Sequence, residues 1–366
     1  MVQYGYVVVK FDNITYFGHC LDLIFLIISP SESFMTLPVQ FENRLSLPAV
    51  VAPMFLASGT QLVTECCKAG VVGTFPALNQ RSTQGFDDWL TEIETELERF
   101  HEETGIKPAP FGVNLIVHKS NPRLEADLAV CVKHKVPLVI TSLGAQSALV
   151  EAVHSYGGLV FHDVVNARHA KKAAQAGVDG LIAVSAGAGG HAGTLNPFAL
   201  VNEIRAFFDK TILLSGSLST GSDIAAAQMM GADLAYMGTR FINTQECMAQ
   251  EEYKQQITQT TANDIVYTPV ISGVHANFIR QSVEAAGLDL ATLERPSKID
   301  FGAELDEASD DSHEGSAAKP WKDIWSAGHG VGSIQDTPKA KDLIERLKAE
   351  YKAAHDQQVL NVAKLI

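Results

Sequence analysis

The stretch LVFHDVVNARHAKKAAQAGVDGLIAVSA (159–186) decides the fold. It holds two short apolar runs, LVFHDVV (159–165) and GLIAVSA (180–186), separated by a segment that ends in Ala176-Gly177-Val178. Continuous apolar runs, rather than alternation, mark strands covered on both faces, as in a parallel sheet. The glycine just ahead of the second run stands where a helix C-terminal glycine belongs. One strand–helix–strand unit is therefore legible here. The echo Ala69-Gly70-Val71 repeats it upstream.

Working outward, six more runs share this character: AVVAPMF (49–55), VVGTFPA (71–77), FGVNLIV (111–117), LVITSLG (138–144), ILLSGSL (212–218) and LAYMGTR (234–240). Gly157 and Gly231 sit near new strands in the same way, and Asn121-Pro122 and Asn196-Pro197 each place an N-cap residue before a proline at the first helical position. Phe86, Trp89, Leu90, Ile93, Leu97 and Phe100 follow helical spacing on an otherwise acidic segment. Eight strand–helix units predict an α/β fold of the (β/α)8 barrel type, in preference to a doubly wound sheet.

The rhythm breaks after residue 245. Residues 246–290 read as helical, and 291–320 are polar, with an acidic stretch over 304–314 that reads as a solvated loop. Helical pattern returns at Thr337-Pro338, with Leu343, Ile344 and Leu347 on one face. The expected organisation is a barrel of residues 35–245 and 325–366, with a small helical cap domain, 246–324, inserted after strand eight. Residues 1–34 read as an appendage: their apolar run LDLIFLII (21–28) is too short to cross a bilayer, which takes roughly 20 helical residues.

Composition narrows the function. The chain has 366 residues and a net charge of −14, with no basic cluster, which argues against nucleic acid as partner. The same reading puts the protein in the cytoplasm, away from membranes. Five cysteines form no CxxC spacing and no even disulfide framework, as in a reducing compartment. No lysine or cysteine ends a strand, so Schiff-base and thiolate chemistry lack their nucleophile. There is no HExxH and no Cys/His cluster, and the expected metal is none.

Barrel enzymes gather function at the C-terminal ends of their strands and bind phosphate in the loops after strands seven and eight. Those ends read Ser215-Gly216-Ser217 and Gly238-Thr239, small residues that let backbone N–H groups approach an anion. Strand six leads into 187–193, a loop nearly bare of side chains except His191. A phosphate cradle, a glycine loop and one imidazole, without metal or nucleophile, suggest that a cofactor carries the chemistry. A flavin mononucleotide fits, having a phosphate at one end and a flat ring at the other.

The segments AGGHAG (188–193), LLSGSLSTG (213–221), GADLAYMGTRFINTQEC (231–247) and IWSAGHGVGSI (324–334) resemble the nitronate monooxygenase family, formerly 2-nitropropane dioxygenases, over roughly residues 40–360. The resemblance implies an FMN-dependent barrel oxidising alkyl nitronates, such as propionate 3-nitronate, with O2. It implies that Ala52, Pro53 and Met54 lie against the flavin and that Asn114 hydrogen-bonds it. Gly189 and Gly190 would back the cofactor, Ser215, Gly216, Ser217, Gly238 and Thr239 would hold its phosphate, and His191 would be the catalytic base. Asp163 joins the cofactor-binding set at a place where family members often carry a lysine. Two other common features are replaced as well: Val184 and Gly187 stand for a glutamine and a glutamate, and Val139–Leu143 lacks a strand-four histidine motif. Two further readings stay open: an FMN reductase passing hydride from NAD(P)H to a quinone or enoyl thioester, and a barrel binding a phosphorylated metabolite without redox chemistry. The oligomeric state is open, a homodimer being one option.

Overall fold

The structure, a computed structural model, describes residues 7–11, 14–18, 37–295 and 321–365. Residues 1–36 and 37–366 form two separate compact units. In the first, Val7–Phe11 pairs antiparallel with Ile14–Gly18. The rest of the expected appendage, and the acidic stretch 304–314, lie outside the described residues.

The second unit is built on eight parallel strands: β1 (Ala49–Val51), β2 (Thr74–Pro76), β3 (Gly112–Ile116), β4 (Leu138–Ser142), β5 (Leu159–Val164), β6 (Gly180–Val184), β7 (Thr211–Ser215) and β8 (Leu234–Met237). Seven fall within one of the eight apolar runs, and β7 begins one residue ahead of its run. Their order is β1-β8-β7-β6-β5-β4-β3-β2, and a parallel bridge between Val50 and Val72 closes the circle, with Val51 N donating to Val72 O at 2.8 Å. This is the (β/α)8 barrel that the repeated units predict.

Alternation within each strand divides the apolar residues between two cores. Val50, Leu138, Ile140, Phe161, Ile182 and Leu213 fill the barrel, while Val113, Val139, Val160, Leu181, Ile212 and Leu214 face the surrounding helices. The bottom is plugged by Phe41, whose ring meets Phe161 edge-on at 6.0 Å. Gly180 makes room for that ring, since a Cβ there would lie 2.5 Å from it.

The helices between the strands are α1 (Thr60–Lys68), α2 (Thr83–Thr104), α3 (Leu124–Lys133), α4 (Ser147–His154), α5 (Ala167–Gln175), α6 (Pro197–Arg205) and α7 (Gly221–Met229). On α2 the expected apolar face is buried through Phe86, Leu90, Ile93 and Leu97. Asn196 caps α6 as read, accepting from Phe198 N with Pro197 in the first turn. Asn121 differs. It accepts from Arg123 N at 3.0 Å in a tight turn, and the helix starts only at Leu124.

After β8 come α8 (Thr239–Ile242), α9 (Glu251–Gln259), β9 (Ile265–Thr268), β10 (Ala276–Ile279) and α10 (Arg280–Ala285). The expected all-helical character of 246–290 is thus corrected. IVYT and ANFI form an antiparallel pair, which β-branched and aromatic side chains favour. A third strand joins them, the two residues Gly190–His191. The chain ends in α11 (Ala340–Leu365), with Leu343, Ile344 and Leu347 buried as predicted. It packs so closely on α7 that a Cβ at Gly221 would lie 2.1 Å from Leu347 O.

Phe161 is fully buried at the centre of the barrel floor. Phe161→Ala should therefore destabilise the fold by about 3–5 kcal/mol, from lost transfer energy and the cavity left behind. Urea unfolding checks this, and a loss below about 1 kcal/mol would contradict the packing described.

Candidate active site

A cavity with about 240 Å³ of water-accessible space opens at the C-terminal ends of the strands. Its floor follows from strand alternation. Counting along β3 to β8, the inward-facing residues nearest the C-terminal ends are Asn114 and Ile116, Ser142, Asp163, Val184, Ser215 and Tyr236, and all seven line the cavity. Ala52, Pro53 and Met54 line it after β1, Gly189, Gly190 and His191 after β6, and Gly238 and Thr239 after β8. These candidates, scattered over nearly 190 residues of sequence, share one mouth.

Gly216 and Ser217 stand one layer back. Ser217 N donates to Gly187 O at 3.3 Å, and a Cβ on Gly216 would collide with Ser185 Oγ at 2.3 Å. They shape the loop from behind.

The rim is polar in two places. On the β3–β5 side, Asn114 Nδ2 donates to Ser142 Oγ at 2.9 Å, and Ser142 Oγ donates to Asp163 Oδ2 at 2.5 Å. Asp163 Oδ1 is buried with no hydrogen-bond partner. Burial without enough donors raises the Asp163 carboxyl to about 6, and the Ser142 hydroxyl only partly offsets it. The Tyr236 phenol is also pushed up, by burial and then by Asp163. His162, the neighbour of Asp163, points the other way and meets Thr141 Oγ1 at 2.7 Å. The second polar place, on the β7–β8 side, is made of Ser215, Gly238 and Thr239.

His191 is held by backbone. Gly190–His191 pairs antiparallel with β10, matching Ala276 to His191 and Asn277 to Gly190. Ser326 Oγ accepts from Gly190 N at 2.6 Å and itself donates to Asn277 O at 2.6 Å. Asn277 Nδ2 donates to Ala188 O at 2.7 Å, and Tyr267 Oη to Ala192 O at 3.0 Å. On the other side the loop abuts Gly328, whose N–H donates to Thr239 Oγ1 at 2.9 Å. Gly187, at φ +83°, adopts a backbone that other residues rarely take, and a Cβ on it would strike Ser217 Oγ at 2.3 Å. The loop is thus a fixed platform. The His191 ring stands edge-on to Trp321 at 5.5 Å, and burial lowers its pKa to about 4. The imidazole is therefore neutral at pH 7, free to accept a proton.

Among the polar and aromatic residues not expected at the site are Ser142, Tyr236, Tyr253, Trp321 and Ser326, all on the cavity wall. Ser142 and Tyr236 could have been found by counting inward positions. Tyr253, Trp321 and Ser326 arrive from segments that follow the barrel; Tyr253 and Trp321 carry no local signal, whereas Ser326 lies in the family-like segment 324–334. Tyr253 donates to Ser326 O, and its ring stacks on Trp325 at 5.2 Å.

The sequence profile of the nitronate monooxygenase family matches residues 77–350. The chain belongs to that family. A nitronate monooxygenase of Paraburkholderia phytofirmans is 25% identical over 354 residues, covering 85% of this chain and 93% of the relative. A (3aS,4S,5R,7aS)-5-hydroxy-7a-methyl-1-oxo-octahydro-1H-indene-4-carboxyl-CoA dehydrogenase of Rhodococcus jostii is 24% identical, covering 83% of this chain and 92% of that one. Among solved structures, the nitroalkane oxidase of Streptomyces ansochromogenes superposes with a TM-score of 0.70 at 22% identity, covering 87% of this chain and 99% of that chain. That last likeness is one of fold. As a family member this chain is an oxidoreductase acting on small molecules. Among the described residues no helix is long and apolar enough to cross a membrane.

The raised Asp163 carboxyl has a sign that can be checked. A carboxyl at about 6 in the folded chain, against about 3.9 unfolded, favours folding at low pH and loses that contribution as pH rises through 6. Asp163→Asn, which carries no charge, should raise the melting temperature relative to wild type at pH 8 but not at pH 4. Equal shifts at both values would contradict the burial argument.

Proposed function

We propose that this oxidoreductase binds FMN across the barrel mouth and oxidises nitroalkanes or their nitronates, propionate 3-nitronate among them, with O2, using His191 as the base. The observation that carries this reading is His191 itself: a neutral imidazole locked by strand pairing onto the wall of a cavity with two polar ends. The residues suit a long ligand with a flat polar ring and an anionic tail. Asn114, Ser142 and Asp163 lie on adjacent strands, while Ser215, Gly238 and Thr239 gather on the β7–β8 side. Between them the apolar floor of Ala52, Pro53 and Val184 suits a ring face. A Cβ on Gly190 would meet no protein atom within 4 Å, so its backbone leaves open space.

When bound, FMN takes electrons from the substrate and passes them to O2. The chain's own part is proton handling and positioning. His191 accepts the proton from the carbon bearing the nitro group, and the edge of Trp321 keeps the ring in one orientation. Asn114 holds the ring end of the cofactor and the hydroxyl-lined end its phosphate. Trp321 and Tyr253 narrow the mouth and limit water.

His191→Asn should retain FMN while turnover of neutral nitroalkane falls ~10² to 10⁴-fold, the usual cost of losing a general base. Turnover of preformed nitronate, which needs no proton removal, should suffer less. Because the base form of His191 persists down to about 4, wild-type kcat/KM on nitroalkane should stay level from pH 8 to 5. Wild-type turnover by the variant would refute the assignment.

A second reading has one supporting observation, the likeness to a dehydrogenase of a CoA thioester. On that reading the same residues would hold FMN, which would supply hydride transfer from NAD(P)H to a quinone or enoyl thioester. Anaerobic mixing separates the two. Rapid flavin bleaching by NADH or NADPH supports the reductase, and bleaching by nitronate alone supports the oxidation.

A further inference from the structure

The mechanism above leaves one buried group without a task. Asp163 closes β5 on the inward face and lines the cavity, with one carboxyl oxygen taking the Ser142 hydroxyl and the other buried and unpartnered. Ser142 is in turn fixed by Asn114 from β3, so the three side chains form one chain of donors ending on a carboxylate. A purely structural carboxylate would have its second oxygen satisfied, because an orphaned charged acceptor costs the full desolvation penalty. Ser215 at the end of β7, and Gly238 and Thr239 after β8, stand on strands two or more places from β5 around the barrel, so an anionic tail held there leaves the other end of the ligand facing Asp163.

We infer that Asp163 is a tuning group: its negative charge would face the ring end of a bound flavin across the cavity and disfavour the reduced form, which carries more negative charge. This inference rests on the FMN reading. The other polar groups near Asp163 are Ser142 from β4, Asn114 from β3 and Tyr236 from β8, with His191 and Tyr253 on the same cavity. None is a cation at neutral pH: His191 is neutral above about 4, and burial keeps both phenols protonated. His162 on the same strand faces outward and is likewise neutral above about 4. The Asp163 charge is therefore uncompensated at the cavity, and it switches on as pH rises through about 6.

The test is a reductive titration of the FMN-loaded protein with dithionite against a reference dye, the couple being FMN plus two electrons and one proton. It is run on wild type, Asp163→Asn and Ser142→Ala from pH 5 to 8, with FMN affinity measured alongside. At pH 8, Asp163→Asn should favour reduced over oxidised flavin about tenfold more than wild type does, roughly what a unit charge some 10 Å away produces at an effective dielectric near 20. Tenfold is about 30 mV for a two-electron couple. At pH 5, where Asp163 is mostly protonated, the difference should shrink away. Ser142→Ala removes the donor that favours the charged form, so the pH at which the Asp163 effect appears should move upward. FMN bound with identical potentials in wild type and Asp163→Asn at every pH would overturn this inference alone. Failure of the wild type to bind FMN would overturn the functional reading, and this inference with it.

Discussion

The antiparallel pairing between Gly190–His191 and the start of β10 is the constraint on which the site depends. A loop of glycines after a barrel strand has many backbone conformations open to it, and each ordered residue costs roughly 1–2 kcal/mol of entropy. Here the cost is offset by a ladder to β10, by Ser326 and Asn277 below it, and by the close backbone of Gly328 beside it. The result is an imidazole with one address. Its neighbours can then set its protonation by burial alone, without a carboxylate partner.

That pairing also explains why residues far apart in the chain meet. The segment after β8 leaves the barrel, returns as β9 and β10 across the mouth, and leaves again into α10. Ser326 and Trp325 then bind its far edge, Ile279 N donating to Trp325 O and Ser326 Oγ to Asn277 O. Barrel and rim are therefore joined through hydrogen bonds to backbone, which tolerate changes in side chain.

Much of this was legible in the sequence, and the limits have physical causes. The eight barrel strands stand out because both faces are buried, so apolar residues run without interruption. Their C-terminal ends followed, and with them Asn114, Asp163, Ser215 and His191. Strands β9 and β10 did not stand out, because four-residue strands flanked by helices give no sustained period and their partner is a dipeptide containing glycine. Asn121 misled for a local reason: its side chain closes a turn instead of capping the helix that follows. Trp321 beside His191 had no signal at all, since its approach is set by tertiary packing on Phe278 at 5.0 Å. Gly216 and Ser217, read as phosphate contacts, lie behind the cavity wall against Ser185 and Gly187, a packing role that small residues at a tight strand end do not announce in sequence.

The central claim is that the loops closing the strands form one preformed cradle for a flavin with His191 at its edge. A crystal structure of the protein grown with FMN tests it most directly. The account requires the phosphate beside Ser215, Gly238 and Thr239, the ring beside Asn114 and Asp163, and the Gly190–His191 ladder unchanged. FMN seated elsewhere, or a ladder broken to admit it, would contradict it.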